Sequence, residues 1–252
     1  MRLFANPIIR EGIQVYFHET QGLAVYGVYL IILALLQCLV IILPAGDPRV
    51  WLGPAYLFKL TAVGVLLSSA YFIMRLANQE IATRKFQSLT HWFKYQRLTV
   101  ANVAVGQIFL MCIHISILLL LALPLLGWAG AIEHTPLPSI LGTLALLFLY
   151  AFIYGSWGLF AVAFWDHSQD SRRVFVRCLL VCLLLVSGLL YLALNPVAFL
   201  LRHLEGLEFL PLELGEWRLE GTTVHMIYHA VLLLSGIGLY GWALRRTKET
   251  YT

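Results

Sequence analysis

Long apolar runs and short polar gaps alternate six times along the chain, and each run is long enough for a helix to cross a bilayer. A hydrocarbon core of about 30 Å takes roughly 20 residues of helix. The first run meets that length without a single charge. The pattern predicts spans over residues 23–43, 53–77, 100–127, 137–165, 174–201 and 224–244. The remaining polar stretches are too short to fold as separate domains, so the chain reads as one all-α integral membrane domain over residues 1–252.

Periodicity inside the polar gaps predicts smaller elements. Residues 6–21 read as an amphipathic helix ahead of the first span. Pro7 suits its first turn. Ile8, Ile9, Ile13, Tyr16 and Phe17 gather near one face, with Arg10, Glu11 and Gln14 beside or opposite. Such a helix is expected to lie in the interface. Residues 78–97 form the most polar inward-facing gap. Phe86, Leu89, Trp92 and Phe93 recur there at steps of three and four, which predicts an exposed apolar stripe offered to lipid or to a protein partner. Residues 202–223 mix leucines with five glutamates and predict short amphipathic pieces on the opposite surface. Asn195-Pro196 interrupts the fifth span, because the residue before proline resists the α conformation. It marks either a broken helix lining a pathway or a plain helix end.

Charge orients the spans. Arg2, Arg10, Arg75, Arg84, Lys85, Lys94, Arg97, Arg172, Arg173, Arg177, Arg245, Arg246 and Lys248 fall in alternate gaps, 13 of the 17 basic residues. The other gaps hold Arg49, Lys59, Arg202 and Arg218, with seven acids. Basic residues near span ends stay in the cytoplasm, so both termini are expected there. The net charge of +4 reflects that asymmetry and faces anionic headgroups, which leaves nucleic-acid binding without support. Lys59 is expected to snorkel from inside the second span.

Candidate chemistry is sparse. No G-x-x-x-x-G-K-[ST] phosphate cradle occurs, and no gap is long enough to fold around a nucleotide. Gly236, Gly238 and Gly241 spell G-x-G-x-x-G, but inside a span and after no strand, so helix packing explains them better than a dinucleotide site. H-E-x-x-H and G-x-S-x-G are missing. Cys38, Cys112, Cys178 and Cys182 lie inside spans with no C-x-x-C, and are expected to pack between helices. His114, His225 and His229 keep a haem-bearing electron carrier open as an alternative, beside hydrogen bonding between helices. The spans hold almost no ionisable residue at mid-depth, which argues against ion-coupled transport. No cleavable leader is expected. These readings imply no catalytic residue, metal or bound cofactor.

Three stretches resemble a known family. Asn6-Pro7-Ile8-Ile9-Arg10-Glu11 is similar to the Asn-Pro-apolar-apolar-basic-Glu opening of ABC-2-type permeases, the six-span, type V exporter-like partners of ATP-binding-cassette ATPases. Gln79-Glu80, Thr83, Phe86 and Leu89-Thr90, continued by Leu98-Thr99, Val103, Gly106 and Gln107, resemble the motif after the family's second span. Leu149-Tyr150, Gly158 and Leu194-Asn195-Pro196 follow its fourth and fifth spans. Departures are Ala82 for glycine, Gln107 for lysine, the additional Trp92 to Gln96, and a Pro-Leu-Ser lacking its proline.

The resemblance implies an elbow helix at 6–21, with Asn6, Pro7, Arg10 and Glu11 as its signature. It implies a coupling loop carried by Glu80, Thr83, Arg84, Lys85, Phe86, Leu89, Trp92 and Phe93. Partners would be cassette ATPase subunits, a second permease chain and membrane lipid, with ATP and Mg bound by the ATPase rather than by this chain. The expected location is a bacterial inner membrane, and the expected cargo an amphiphilic lipid, peptide or drug that is exported or flipped. Asn195 and Pro196 would mark a pathway kink. The alternative of another class is a membrane scaffold or assembly factor that moves nothing.

Overall fold

The computed structural model describes residues 6–42, 54–81, 86–214 and 217–251. Helix α1 covers Pro7–His18 and α2 covers Thr20–Ile42. After a 3-10 turn at Pro54–Tyr56 come α3 (Leu57–Ala77), a wide five-residue turn (His91–Tyr95), α4 (Val100–Ile132) and α5 (Leu137–Phe164). Helix α6 (Gln169–Val181) runs through a π turn (Cys182–Val186) into α7 (Ser187–Leu190). Then follow a 3-10 turn (Leu192–Leu194), α8 (Pro196–Glu205), an antiparallel pair β1 (Leu212–Leu214) and β2 (Trp217–Leu219), and α9 (Gly221–Tyr251). Among the described residues, six helices are long and apolar enough to cross a membrane: Thr20–Ile42, Leu57–Ala77, Val100–Ile132, Leu137–Phe164, Gln169–Leu190 and Gly221–Thr250. That is the architecture of a multi-pass membrane protein.

All six predicted spans are present as helices, with shifted ends. The largest extension is in α9, which runs seven residues past the predicted end at 244, while α4 runs five past 127 and α6 begins five before 174. Leu43 and Gly53, predicted span ends, lie outside the described residues. The small β1–β2 hairpin is the departure from an all-α reading. Its residues alternate leucine with charge (Leu212-Glu213-Leu214, then Arg218-Leu219), the period of a strand pair with one wet face.

Helix α3 is the most enclosed span and α6 the least. Close packing at α3 depends on glycine in α5. A Cβ on Gly158 would lie 2.6 Å from the Met74 carbonyl oxygen and 3.0 Å from the Ala77 Cβ. Of the three glycines in the α9 fingerprint, only Gly236 serves packing: its Cβ would meet Ser156 Oγ at 2.3 Å, while Gly238 and Gly241 face open space. Gln37 ties three spans, donating to Leu125 O at 2.8 Å and Thr61 Oγ1 at 3.1 Å. With no water in the hydrocarbon, such a side chain needs partners inside the bundle.

Helix α1 begins where the sequence places it. Asn6 caps it by accepting from the Ile8 amide at 3.0 Å, with Pro7 in the first turn. Most of its apolar face turns into the bundle. Ile8, Ile9, Val15 and Tyr16 are buried against protein, and α1 runs alongside the first turns of α4. Asn6 donates to Asn102 O at 2.8 Å, Gly12 abuts Leu110, and the Tyr16 ring lies 4.4 Å from His114. Only Arg10, Gln14 and His18 present an exposed side. Helix α2 then starts hard against α1, where a Cβ on Gly22 would lie 2.3 Å from Tyr16 O.

The fifth span is broken. Helix α7 stops at Leu190, and α8 restarts at Pro196 after five non-α residues. Asn195 joins the halves. Its Oδ1 accepts from Val197 N (2.9 Å) and Ala198 N (3.1 Å), capping α8, and its Nδ2 donates to Leu184 O at 2.5 Å. The carbonyl of Ala193, freed by the break, meets His225 Nδ1 at 2.6 Å. Asn195-Pro196 thus stands at the start of α8, five residues beyond the end of the long helix at Leu190. The cysteines also depart from expectation: Cys38, Cys178 and Cys182 are exposed on their helices rather than packed, and all four are free.

Candidate coupling surface at the basic end of the bundle

The start of α4, the end of α5 and residues 86–97 share one end of the bundle, which also holds Asn6 and the carboxyl-terminal turns of α9. It carries most of the basic residues, and the opposite end carries the hairpin.

The coupling segment is built by capping. Ser88 Oγ accepts from His91 N at 3.2 Å, and the wide turn closes with Gln96 N on His91 O at 3.2 Å. Its first amides need an acceptor, and Asp166 supplies one from the α5–α6 turn. Asp166 Oδ1 takes Leu89 N at 3.0 Å, while Oδ2 takes Thr90 N and Thr90 Oγ1, each at 3.2 Å. A carboxylate on the leading amides of a helical turn is a favourable cap. A second carboxylate holds the segment from α1: Glu11 Oε1 accepts Gln87 N at 2.8 Å. Burial raises the Glu11 carboxyl from 4.5 to about 7, opposed by that amide bond. Phe86 stacks at a tilt on Tyr16, with ring centroids 5.1 Å apart. Tyr16 in turn donates to Leu76 O at 2.7 Å. The segment is therefore tied to α1 and to the α5–α6 turn at once.

The predicted stripe faces inward. Leu89, Trp92 and Phe93 are buried and belong to the core, and Phe86 is half-buried, so the expectation of four exposed anchors is corrected. Burial of these large apolar side chains against the bundle is the dominant gain, and the carboxylates of Asp166 and Glu11 fix the segment's backbone in that position. What remains outside is Gln87, Lys94, Tyr95 (67% exposed), Gln96 and Arg97, with the Lys94 ammonium 5.7 Å from the Tyr95 ring. Thr83, Arg84 and Lys85 lie outside the described residues.

Glu80 is also turned inward. Helix α3 ends with Gln79 in the left-handed region (φ 54°), which sends Glu80 N back to Arg75 O at 3.0 Å. The Glu80 carboxylate then takes Arg75 Nη2 at 3.0 Å and Arg177 Nη2 at 3.3 Å, with Arg173 Nε at 3.9 Å. Arg172 Nη1 reaches Asn78 O at 3.4 Å. Glu80 thus joins the end of α3 to the start of α6 instead of facing a partner.

Of the remaining predicted residues, Asn6 and Pro7 are structural, Arg10 is exposed, and Asn195 and Pro196 lie at the broken span, away from this surface. Sequence reasoning missed Asp166, since an acid between two spans carries no mark of what it will cap. Beside it, a hollow of about 310 Å³ opens between the α5–α6 turn and α9, lined by Trp165, Asp166, His167, Arg246, Thr247 and Thr250. At the opposite end Lys59 reaches Glu205 (3.6 Å) and Glu133 (3.9 Å), as a snorkelling lysine does.

His225 is fully engaged. A carbonyl oxygen only accepts, so Nδ1 carries the proton toward Ala193 O, and Tyr150 Oη donates to Nε2 at 2.7 Å. No lone pair is left for a haem iron at that residue. His114 Nδ1 is 2.6 Å from Tyr26 Oη, and His229 Nδ1 is 3.0 Å from His225 O.

Compared with models of protein families, with curated proteins and with solved structures, the chain matches none.

Proposed function

We propose that the chain is the membrane-spanning subunit of an ATP-driven transporter, working with a separate cassette-type ATPase. The observation that carries this reading is the double tether of residues 86–97: Asp166 holds their first helical turn and Glu11 holds Gln87. A push on that segment reaches α1, α5 and α6 together. The sequence itself contains no phosphate cradle, so ATP energy would enter only through protein contact. The resemblance of Asn6–Glu11 and of the 79–107 stretch to ABC-2-type permeases supports the same reading.

The contact differs from the sequence expectation. Lys94, Tyr95, Gln96 and Arg97 form the docking face, a basic and aromatic patch suited to an acidic groove. Tyr95 is the anchor, worth about 2 kcal/mol if it sits at the centre of the contact. Leu89, Trp92 and Phe93 act behind it as the stiff base that passes movement inward. The location would be a bacterial inner membrane, and the dry spans suit export or flipping of an amphiphilic lipid, peptide or drug. A second permease chain would complete the assembly.

A photo-crosslinking residue at Tyr95, in cells expressing the full chain, tests this. Capture of a protein bearing a G-x-x-x-x-G-K-[ST] cradle, lost with Lys94→Glu, is the expected result. Capture of lipid alone would overturn the coupling assignment.

A further inference from the structure

The arginines around Asn78 and Glu80 are more than an internal ion pair requires. Arg75, Arg172, Arg173 and Arg177 meet at the junction of α3 and α6. Three of them share one oxygen, Glu80 Oε1, and each guanidinium carries five donors. The other nearby acids give little more: Asp170 is nearly fully exposed at 3.7 Å from Arg173, and Asp166 is committed to Leu89 and Thr90.

Asn78 is wholly buried, yet neither its Nδ2 nor its Oδ1 has a hydrogen-bond partner among the described residues. Arg75 Nε and Arg173 Nε are in the same state. The donors among these, Asn78 Nδ2, Arg75 Nε and Arg173 Nε, lack hydrogen-bonded acceptors beside surplus positive charge, so the site can take one further anion; Asn78 Oδ1, itself an acceptor, would not be satisfied by it. A phosphate group supplies several acceptor oxygens in the geometry that guanidinium forks match.

The position of Arg177 identifies the source. Its side chain is 59% exposed, on the same face of the α6–α7 rod as Val174, Val181 and Leu185, which are 61%, 53% and 62% exposed. That face is aliphatic on both sides of the arginine, in a helix apolar enough to cross the membrane. The guanidinium therefore opens sideways, toward the boundary where acyl chains give way to headgroups.

We propose that Arg75, Arg173 and Arg177, backed by Arg172 and Asn78, bind the phosphodiester of an acidic phospholipid in the adjoining leaflet. The lipid closes the gap between α3 and α6 and completes the coordination that Glu80 begins. This inference does not rest on ATPase coupling.

Native mass spectrometry and thermal unfolding of the full chain in detergent test it, with phosphatidylglycerol, phosphatidylcholine or inorganic phosphate added. Phosphatidylglycerol should bind more tightly than phosphatidylcholine and raise the Tm further. The Arg177→Gln variant, altered on an exposed side chain, should bind phosphatidylglycerol about tenfold more weakly, the worth of one charge-assisted hydrogen bond. Its Tm without lipid reports that it is folded, and Arg245→Gln, altered on an exposed side chain of α9, should bind as the parent does. Equal binding of both lipids, or undiminished binding by R177Q, would overturn the site. Stabilisation by inorganic phosphate, with nothing added by phosphatidylglycerol, would overturn the lipid as its source.

Discussion

His225 Nδ1 lies 2.6 Å from the carbonyl oxygen of Ala193, so a side chain of α9 satisfies a backbone group that the broken fifth span sets free. Tyr150 completes the link from α5 at 2.7 Å, and the Phe199 ring of α8 stacks on the imidazole with centroids 3.7 Å apart. Three elements are thereby held to the break. Where a helix is interrupted within apolar surroundings, its carbonyls need such partners. His225→Phe should destabilise the chain by about 1–2 kcal/mol, in the upper range of hydrogen bonds within membranes. Thermal unfolding in detergent checks this, and His225→Gln, which keeps a donor for Ala193 O, should recover part of the loss.

Glu11 predicts a pH dependence. Its carboxyl is raised from 4.5 to about 7 in the folded chain because it is partly buried. The folded state thus holds the proton more tightly than the unfolded state. Its contribution to stability is full below about 4.5 and is lost as pH rises through 7. Glu11→Gln keeps an acceptor for Gln87 N while removing the ionisation. The variant should show a flatter Tm profile between pH 4.5 and 7 and be the more stable protein at pH 8, measured by thermal scans across that range.

Asp166 should govern the order of residues 89–95. Asp166→Ala removes the acceptor for two amides and one hydroxyl, at about 1–2 kcal/mol for a lost cap. Faster amide exchange at Leu89 and Thr90, with the spans still protected, is the expected signature. Thr90→Val removes the hydroxyl's bonds to Asp166 and His167 but keeps both amide bonds, and should have the smaller effect.

Buried and exposed positions of the same segment should separate. Phe93→Ala opens a cavity and should cost about 3–5 kcal/mol. Tyr95→Ala, at a residue 67% exposed, should leave the Tm within about 0.5 kcal/mol of the parent. Loss of the proposed ATPase association with unchanged Tm in Tyr95→Ala would distinguish docking from folding.

Gly158 should resist enlargement. A Val there would drive a Cβ to 2.6 Å from Met74 O, backbone that cannot move aside without separating α5 from α3. Gly158→Val should destabilise by at least about 1–3 kcal/mol, and Gly238→Ala, facing open space, by much less. Thermal unfolding of both variants in one detergent makes the comparison.

The six long helices, the amphipathic helix with Pro7 in its first turn and the interruption at Asn195-Pro196 were legible in the sequence. Span length, capping chemistry and proline's missing amide act within a few consecutive residues, and the solvent is set by composition alone. Tertiary structure decided which way each amphipathic face turned. The stripe Leu89, Trp92, Phe93 would read the same whether it met lipid, a partner or its own core. It packs into the core, with its backbone held by Asp166 and Glu11, whose bonds reach across 77 and 76 residues of chain. The gathering of Arg75, Arg173 and Arg177 on Glu80, and the match of His225 to Ala193, likewise join segments that share no local pattern. Periodicity records how a helix divides its faces; what stands against each face depends on contacts between distant parts of the chain.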